Sequence, residues 1–477
     1  MNTGWVNTGW MNTDPVSMGL SLRRRCEVRR LRETSGVSTQ PEFASEEYAL
    51  HRDRELDPPL ARDQYLIPTD ANGKPISYMA GNSLGLQPTT TRAAIDQELD
   101  SWATLAVRGH SHGAHPWMVF PSLLAQESAA IIGAKPDEIV MMNSLTVNIH
   151  MLLASFYQPR DRRRKIIMED YAFSSDSYAI RSHIAFRGGH PDKDVIRLKP
   201  REGEDSLRTE DVIAVLRERG EEIATTLFGA VNYYSGEFMD IPAITAVAHD
   251  VGAYAGWDLA HAAGNIPLHL HDWDIDFAAW CTYKYLNAGP GSVAGAFIHE
   301  KHHAGTLPRL EGWWSNKPET RFLMNPIVDP IETADAWAVS HPPLLIMAPA
   351  LSALQVFTEV GMPALRARSL QLTSYMRELI GVLDATGARA GAGDEARVHV
   401  ITPSDSDRHG AQLSIRVPIE PFALIERMYE NHGVLGDARN PDIIRLAPVP
   451  MYNTFHDVWR AVTALFAELT ARHLGSE

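Results

Sequence analysis

The apolar residues between positions 139 and 298 fall into short runs that alternate with segments of helical periodicity. Three segments, Ser174–Phe186, Thr209–Arg219 and Ile241–Val251, place their apolar residues on one face of a helix. Strand-like runs that alternate with helices are typical of a mostly parallel sheet with helices on its faces. The sequence therefore predicts an α/β domain whose sheet has about seven strands, at Ile139–Met142, Lys165–Met168, Val195–Leu198, Thr225–Val231, Ala253–Leu259, Phe277–Thr282 and Val293–Ile298.

The pattern changes after His341, which two prolines follow. Helical periodicity at 346–358 and 363–383 is followed by strand-like runs at 398–401 and 412–417. This mixture predicts a second, smaller α+β domain. The predicted organisation is a disordered tail (1–45), a segment associated with the small domain (46–80), a large domain (81–340) and the small domain (341–477).

The first residues repeat a short unit, and an arginine-rich patch runs from Arg23 to Arg32. Arginine enrichment with few acidic residues is a property of organelle transit peptides. A disordered extension, or one that precedes a later start at Met11 or Met18, explains the same residues and is favoured.

Composition and charge disfavour several classes of function. The 477 residues are 44% hydrophobic and 22% charged, as in folded globular proteins. A net charge of −15 disfavours nucleic acid and anionic membranes as partners, because both are bound through surplus lysine and arginine. No apolar run is long enough to span a bilayer. The two cysteines, Cys26 and Cys281, predict no disulfide framework, so we expect a cytoplasmic protein.

The residues around Lys284 carry the strongest chemical signal. Lys284 follows an apolar run, lies between two tyrosines and precedes the small-residue loop Asn287–Gly291. A lysine amine in such a pocket can form a Schiff base with a carbonyl cofactor. Asp258 lies at the end of the preceding predicted strand, where its carboxylate can pair with a pyridinium nitrogen. His261 would then contact the ring, although an aspartate after a strand more often caps a turn.

Two further segments are suited to the rest of such a cofactor. Asn143–Thr146 lies between a predicted strand and a helix, and the free N–H groups at a helix start bind phosphate. Phe173 and Asp176 follow another predicted strand, where the aromatic ring can stack on a flat ligand and the carboxylate can accept a hydrogen bond at its edge. A core aromatic residue and a helix cap explain these two positions equally well.

Three segments resemble the kynureninase family: YMAGNSLGLQP at Tyr78–Pro88, WDLAHAAGNIPLHLH at Trp257–His271 and WCTYKYLNAG at Trp280–Gly289. The resemblance extends from about Phe43 to about Leu474, so only the N-terminal tail lies outside it. It implies the fold of the pyridoxal-phosphate-dependent transferases and a homodimer of the aspartate-aminotransferase type.

In that family the cofactor is pyridoxal 5'-phosphate. The resemblance implies that Lys284 holds it as a Schiff base, that Asp258 pairs with its ring nitrogen and that Phe173 stacks on the ring. It also implies that Trp313 reaches the cofactor from a partner subunit. The other residues expected to line the cofactor are Leu145, Thr146, Ser174, Ser175, Asp176, His261, Tyr283 and His341.

The implied reaction is hydrolysis of L-kynurenine or its 3-hydroxy derivative to anthranilate or 3-hydroxyanthranilate and L-alanine, in tryptophan degradation. Lys284 would remove the α-proton, and Tyr283 would donate a proton to the β-carbon. Arg445 is expected to bind the substrate carboxylate with two parallel hydrogen bonds. His341 stands where animal relatives carry an asparagine, so the preferred ring hydroxylation stays open. The residues expected near the substrate are Ser83, His110 and Ser340.

Three rival functions leave different signatures. His299–His303 matches the zinc-hydrolase motif HExxH, but it follows a predicted strand and Gly305 leaves little room for a long helix, so no metal is expected. A cysteine desulfurase or an aminotransferase shares the lysine and the aspartate. A desulfurase also needs a reactive cysteine near the C-terminus, and none follows Cys281. A non-enzymatic relative predicts loss of Lys284 or Arg445, and both are present.

Overall fold

The computed structural model describes residues 41–389 and 397–474. Its strands are β1 (Ser77–Tyr78), β2 (Ile139–Met141), β3 (Lys165–Glu169), β4 (Val195–Leu198), β5 (Ile223–Gly229), β6 (Tyr254–Asp258), β7 (Phe277–Trp280), β8 (Gly295–Ile298), β9 (His399–Val400), β10 (Leu413–Arg416), β11 (Val434–Leu435), β12 (Asp437–Arg439) and β13 (Ile443–Leu446). Its α-helices are α1 (Glu46–His51), α2 (Thr91–Leu105), α3 (Phe120–Ile132), α4 (Leu145–Phe156), α5 (Ser174–Phe186), α6 (Thr209–Arg219), α7 (Ile241–Asp250), α8 (Leu344–Val360), α9 (Met362–Arg389), α10 (Pro421–His432) and α11 (Phe455–Leu474).

The large sheet has seven strands in the order β2-β8-β7-β6-β5-β3-β4. Pairing is parallel from β7 to β4, whereas β8 runs antiparallel to both β7 and β2. The predicted α/β fold with a mostly parallel seven-stranded sheet is confirmed. The helices α5 and α6 have the predicted bounds, and the strand ends differ from prediction by two residues or fewer.

Helices cover both faces of this sheet. Alternate side chains of β7 point to opposite faces, so Phe277 and Ala279 pack with α4 and α5, whereas Ala278 and Trp280 belong to the apolar cluster that includes α3, α6 and α7. Strands that are buried on both faces consist of nearly continuous apolar residues. This double burial explains why the strands stand out in the sequence.

The C-terminal part contains a four-stranded antiparallel sheet in the order β12-β13-β10-β9. Helices α9, α10 and α11 supply apolar side chains to its core. Strand β1 pairs in parallel with β11 in a separate two-stranded sheet, and β11 lies directly before β12 in the chain, so the segment before residue 80 is attached to this C-terminal part. Helix α8 packs instead on α2 and α3, beside the large sheet. The domain boundaries at 80 and 340 stay predictions.

The predicted tail lies mostly outside the described residues, which begin at residue 41. Glu42–Ala44 form a 3-10 turn, and the Ser45 side chain caps α1 by accepting a hydrogen bond from the Tyr48 amide at 3.1 Å. Ala44 is buried. A capping side chain and a buried alanine thus connect residues 42–45 to the fold, and the boundary of the tail at residue 45 stays a prediction.

Within the described ranges, no single helix is both long and apolar enough to cross a membrane. Helices α8 and α9 together meet that criterion by length and composition, but their axes differ by 81° across the break between them. Most of the apolar residues of α8 are buried inside the protein.

Candidate active site

A cavity of about 380 Å³ opens at the carboxyl edge of the large sheet, where Glu169, Gly229 and Asp258 end β3, β5 and β6. Ligands of α/β proteins bind at this edge. The small sheet contributes two arginines to the wall. The lining consists of Asn82, Ser83, Ser144, Leu145, Thr146, Glu169, Phe173, Ser175, Asp176, Gly229, Val231, Asn232, Tyr233, Asp258, Ala260, His261, Tyr283, Lys284, Arg439 and Arg445.

The loop after β7 positions Lys284 at this cavity. The amide of Ala288 donates to the Thr282 carbonyl at 3.0 Å and closes the loop around the lysine. The amide of Gly85 donates to the Tyr283 carbonyl at 2.8 Å. A Cβ atom on Gly85 would lie 2.3 Å from the Lys284 carbonyl oxygen, so only glycine permits this approach.

The Lys284 amine contacts a neutral histidine. Its Nζ lies 2.9 Å from Nε2 of His261. Burial, together with the positive charges of Lys284, Arg445 and Arg439, holds the pKa of His261 well below its ordinary value. The imidazole is therefore unprotonated at neutral pH and accepts a hydrogen bond from the amine. Nδ1 of His261 is buried and has no partner among the described residues.

Three buried carboxyl groups face the cavity, on Asp258, Asp176 and Glu169. Asp258 also caps the turn after β6, because its Oδ1 accepts the Ala260 amide at 2.6 Å. Burial raises the pKa of both aspartates, and the Asp258 charge raises that of Asp176 further. The Gly229 amide donates to Oε1 of Glu169 at 3.1 Å, and burial raises the pKa of Glu169 to about 7. In the part of the chain that the structure describes, Oδ1 of Asp176 and Oε2 of Glu169 have no hydrogen-bond partner.

The predicted phosphate segment forms the start of α4. Leu145 is the first helical residue, and the first amides of a helix lack acceptors within the helix. The Ser144 side chain forms no capping hydrogen bond to a described residue. Thr146 Oγ1 donates to Ser175 Oγ at 3.2 Å, which joins the starts of α4 and α5. Two helix starts thus meet at the cavity.

Two predicted aromatic residues form part of the wall. Phe173 lies at the N-cap of α5, is 50% exposed and meets the Tyr233 ring edge-on, with 5.5 Å between centroids. Burial raises the pKa of Tyr283 above its ordinary value, so its phenol keeps its proton at neutral pH.

The predicted carboxylate-binding arginine is paired within the chain. Arg445 is almost fully buried, and its Nε donates to Oδ1 of Asp437 at 2.5 Å while Nη2 donates to the other carboxylate oxygen. Nη1 donates to the Tyr233 carbonyl at 2.7 Å, and Nη2 also donates to Ser83 Oγ at 3.1 Å. The two parallel hydrogen bonds expected for a substrate are thus made to Asp437.

The other predicted residues lie away from the cavity lining. His110, Trp313 and His341 form an aromatic cluster, with ring centroids 5.6 Å apart for the two histidines and 6.2 Å apart for Trp313 and His341. Nδ1 of His110 and Nε2 of His341 are buried and contact no hydrogen-bonding atom of residues 41–389 or 397–474. Ser174 and Ser340 are exposed. Apart from these two exposed serines, the predicted residues fall into a cavity group and an aromatic cluster.

Several cavity residues carry no prediction from the sequence. Asp437 and Arg439 lie on β12, Glu169 ends β3, and Asn232 and Tyr233 follow β5. Glu169 has the same signal as Asp258, a carboxylate at the end of an apolar strand. The alternation in Asp437-Ala438-Arg439 indicates a charged strand face. Asn232 and Tyr233 have no local feature that separates them from ordinary turn residues.

The HExxH segment does not form a zinc-hydrolase helix. Glu300–His302 is a single 3-10 turn, and Nε2 of His303 lies 3.0 Å from the Ile298 carbonyl. His299 lies 3.7 Å from the buried Glu138 carboxylate. Because Ile298 pairs with the first residue of β7, this segment lies at the amino edge of the sheet, opposite the cavity.

Comparisons with known proteins find relatives along most of the chain. The family model "Kynureninase C-terminal domain" matches residues 365–465, and "Aminotransferase class-V" matches residues 78–312. A kynureninase from Salinispora tropica is 50% identical over 431 residues, which cover 90% of this chain and 98% of that protein. Kynureninases from Myxococcus xanthus and Nematostella vectensis are 46% and 42% identical, over 85% and 92% of this chain and 92% and 96% of theirs.

Similar solved structures include cysteine desulfurases from Thermococcus onnurineus and Escherichia coli, each with a TM-score of 0.68. They are 16% and 17% identical, over 83% and 86% of this chain and 95% and 98% of theirs, and at such identity the likeness shows the fold alone. The sequence relatives, by contrast, match over nearly their whole length. The chain belongs to the kynureninase family of pyridoxal-phosphate-dependent hydrolases.

Proposed function

We propose that the protein hydrolyses the bond between the β- and γ-carbons of L-kynurenine or 3-hydroxy-L-kynurenine. Water gives a hydroxyl group to the carbonyl carbon, which leaves in anthranilate or 3-hydroxyanthranilate, and a hydrogen to the β-carbon, which leaves in L-alanine. The observation that carries the proposal is the contact of 2.9 Å between Lys284 Nζ and the neutral His261, in a cavity that also holds buried carboxyl groups and Arg445.

The cavity residues fit pyridoxal 5'-phosphate. A protonated ring nitrogen and a ring hydroxyl need acceptors, and Asp258 and Asp176 are buried carboxyl groups at the cavity. A phosphate needs free N–H groups, which the start of α4 at Leu145 and Thr146 supplies. Lys284 supplies an amine for covalent attachment. When bound, this cofactor withdraws electrons from the α-carbon of an amino-acid substrate.

Lys284 and Tyr283 transfer the protons, and His261 positions the lysine. Lys284 acts as the base for the α-proton, and its contact with Nε2 of His261 orients the amine. Because the imidazole stays neutral, positive charge remains on the lysine when it holds the proton. The protonated phenol of Tyr283 is the donor to the β-carbon. Arg445 contributes to binding of the α-carboxylate through its remaining Nη1 donor, with Ser83 beside it.

A homodimer would place the aromatic cluster at the substrate ring. Trp313 is 44% exposed, and its ring lies 6.1 Å from that of Phe322, which begins the exposed apolar run Phe322–Met324. Exposed apolar patches mark protein interfaces. A second copy covering this surface would bring His110, Trp313 and His341 to its partner's cavity, and light scattering should show a dimer that Met324→Asp dissociates. A monomeric wild type contradicts this assembly.

We also propose a cytoplasmic enzyme of tryptophan degradation that binds neither nucleic acid nor membranes. The net charge of −15 supports the absence of such partners. Cys281 is a buried free thiol, which suits a reducing compartment.

Residues 81–340 would form the cofactor domain, and residues 46–80 with 341–477 would form the smaller domain. The separate four-stranded sheet supports this division.

The proposed function is tested by the absorbance of the purified protein after addition of pyridoxal phosphate. The wild type should show a visible cofactor band, and Lys284→Ala should alter that band and reduce cleavage of either substrate by roughly a thousandfold or more. Lys135→Ala is the matched control, because Lys135 forms a surface pair with Glu300. Its spectrum and rate should equal those of the wild type.

The possible outcomes separate the cofactor from the substrate. A wild type without a visible band overturns the cofactor site and everything derived from Lys284. A band without release of alanine from either kynurenine overturns the substrate alone. Where both reactions occur, the change in their rate ratio in His341→Asn measures the contribution of His341 to ring preference.

A further inference from the structure

The cavity contains a second arginine that neither the motifs nor the reaction above employ. Arg439 lines the cavity together with Arg445, and it lies on β12, which pairs with the strand that carries Arg445. Asp437 and Arg439 are two residues apart on one strand, so their side chains project from the same face. Asp437 lies directly opposite Arg445 in the register of the two strands. The three charged groups therefore converge on one part of the wall.

The donors of Arg445 are nearly all committed to the chain itself. Nε and Nη2 bind the two oxygens of Asp437, Nη2 also binds Ser83, and Nη1 binds the Tyr233 carbonyl. A guanidinium group has five N–H donors. The face that would bind a carboxylate in parallel is occupied by Asp437, which leaves one N–H of Nη1 for a ligand.

Arg439, in contrast, has most of its N–H donors free in the described structure. Its Nη1 donates to the Ala438 carbonyl at 2.6 Å, and Nη2 lies 3.4 Å from Asp437, beyond good hydrogen-bond distance. Its remaining N–H groups have no acceptor among residues 41–389 and 397–474. The side chain is 33% exposed, so it can move toward a ligand in the cavity.

The charges of these three groups also favour Arg439 as the residue that binds an anion. Two guanidinium groups and one carboxylate leave one net positive charge on this part of the wall. Asp437 neutralises Arg445, because burial acts to raise the pKa of Asp437 but the Arg445 hydrogen bond holds it below its ordinary value. The surplus charge therefore belongs to Arg439. A single anionic group in the cavity would compensate it.

We infer that Arg439 binds the α-carboxylate of the substrate and that Asp437 holds Arg445 in position beside it. The inference rests on the proposed function, since it takes the substrate to be an amino acid. The carboxylate receives hydrogen bonds from the free N–H groups of Arg439 and from the remaining Nη1 donor of Arg445. Arg439 is thus a specificity residue that separates amino acids from amines without a carboxylate.

The test compares ligands that differ only in the carboxylate. L-alanine and ethylamine are titrated into the holoenzyme, and their dissociation constants are read from the visible absorbance of the bound cofactor. The ratio of the two constants measures the preference for a carboxylate. Arg439→Gln should lower this ratio about tenfold or more, the size of one lost charge-assisted contact. Arg439→Lys, which keeps the charge, should retain part of it.

The matched control is Arg416→Gln. Arg416 lies on β10 of the same sheet, outside the cavity, and both of its neighbouring carboxylates, Asp205 and Asp442, come from the chain itself. This variant removes the same charge and should leave the ratio unchanged. The KM for kynurenine should rise in Arg439→Gln, while kcat changes less.

The outcomes distinguish this inference from the proposed function. A wild type that shows no cofactor band overturns both, whereas one that binds both ligands equally overturns the carboxylate site alone. A wild type that prefers alanine, with an equal preference in Arg439→Gln, overturns the role of Arg439 alone. An intact cofactor band and melting temperature in the variant show that it folds, so that a lowered ratio reports on carboxylate binding.

Discussion

The two edges of the large sheet both contain buried ionisable groups, but the chain pairs them differently. At the amino edge, Asp276 accepts hydrogen bonds from His249 and His302 at 2.8 and 2.7 Å. Its neighbour Glu138 is fully buried and accepts from His271 at 2.9 Å and from the Lys135 and Glu300 amides at 3.0 Å each. Each carboxylate oxygen of Asp276 and Glu138 therefore accepts at least one hydrogen bond.

The carboxyl edge lacks this pairing. Oδ1 of Asp176, Oε2 of Glu169 and Nδ1 of His261 are buried at the cavity without a partner in the described part of the chain. A buried polar atom without a partner costs about 1–3 kcal/mol. Burial and charge therefore do not by themselves mark a functional carboxyl group. What separates the two edges is whether the chain's own donors saturate the group.

The largest expected effect concerns the unsaturated edge. Asp258→Asn removes the negative charge that faces the cofactor ring, so kcat for kynurenine should fall by roughly a hundredfold or more. The melting temperature of the cofactor-free protein should change by no more than about 2 °C. Steady-state kinetics and calorimetry measure the two quantities. A kcat within tenfold of the wild type contradicts the assignment of Asp258.

The same substitution at the saturated edge should have the reverse signature. Asp276→Asn deprives His249 and His302 of a charged acceptor, and the free energy of unfolding should fall by about 2–4 kcal/mol. Because this edge lies across the sheet from the cavity, kcat should stay within twofold of the wild type. Urea denaturation of the cofactor-free protein measures the first quantity. Equal stability of the two proteins would remove the basis of the comparison.

Acid should abolish the effect of Asp276→Asn. Burial acts to raise the pKa of Asp276, but hydrogen bonds from His249 and His302 hold it well below its ordinary value. Because its pKa is lower in the folded protein, the Asp276 carboxylate stabilises the fold at pH values above its unfolded pKa of about 4. This stabilisation is lost as the pH falls from there toward the folded pKa. The difference in melting temperature between wild type and variant should therefore narrow progressively below pH of about 4. A constant difference contradicts the pairing.

A neutral residue at Glu169 should stabilise the cofactor-free protein. Burial raises the pKa of Glu169 to about 7, above its unfolded value. The stability of the folded protein therefore falls as pH rises from the unfolded pKa through about 7. Glu169→Gln stays uncharged and should exceed the wild type by about 1–2 kcal/mol at pH of about 8.5. The advantage should shrink toward pH of about 5. Denaturation at both pH values tests this prediction. The expected pH dependence is opposite to that at Asp276, where the carboxylate stabilises the protein at the higher pH.

The smallest effect is expected at His271. His271→Asn removes one of three hydrogen bonds to Glu138, and the two backbone amides remain. Since the His271 side chain is 28% exposed, the loss should be about 0.5–1.5 kcal/mol. His269→Asn is the control, because His269 is exposed on the same loop and should change stability little. Losses of equal size in both variants would deny the Glu138 contact a specific role.

Local sequence patterns were sufficient for most of the fold. The apolar run of β7 and the amphipathic helix α5 depend on neighbouring residues alone, so both could be predicted. The end of β7 could not, because Thr282 leaves the strand when its Oγ1 donates to the Val293 carbonyl at 2.6 Å. The reversed direction of β8 also has no local signature, since an apolar run is the same in either direction.

The residues of the site likewise divide into those that the local sequence predicts and those that it does not. Lys284 and Asp258 could be predicted because each follows or ends an apolar strand, and strand ends meet at one edge. Asp437 could not be recognised as the partner of Arg445, because the pairing depends on strand register and on Ser83, hundreds of residues away. The aromatic cluster lies apart from the cavity of its own chain, so its role depends on an assembly that no local pattern describes.

The stretch from Ser77 to Gly85 forms backbone hydrogen bonds with the small-domain strands at one end and with the loop of Lys284 at the other. Met79 bonds to Leu435 and Ala447 at 2.7 and 2.8 Å, and six residues later the Gly85 amide bonds to the loop of Lys284. These residues therefore fix the position of the strand that carries Arg445 relative to Lys284. For protein engineering, this stretch must stay continuous in any circularly permuted or split form of the enzyme, and position 85 must stay a glycine.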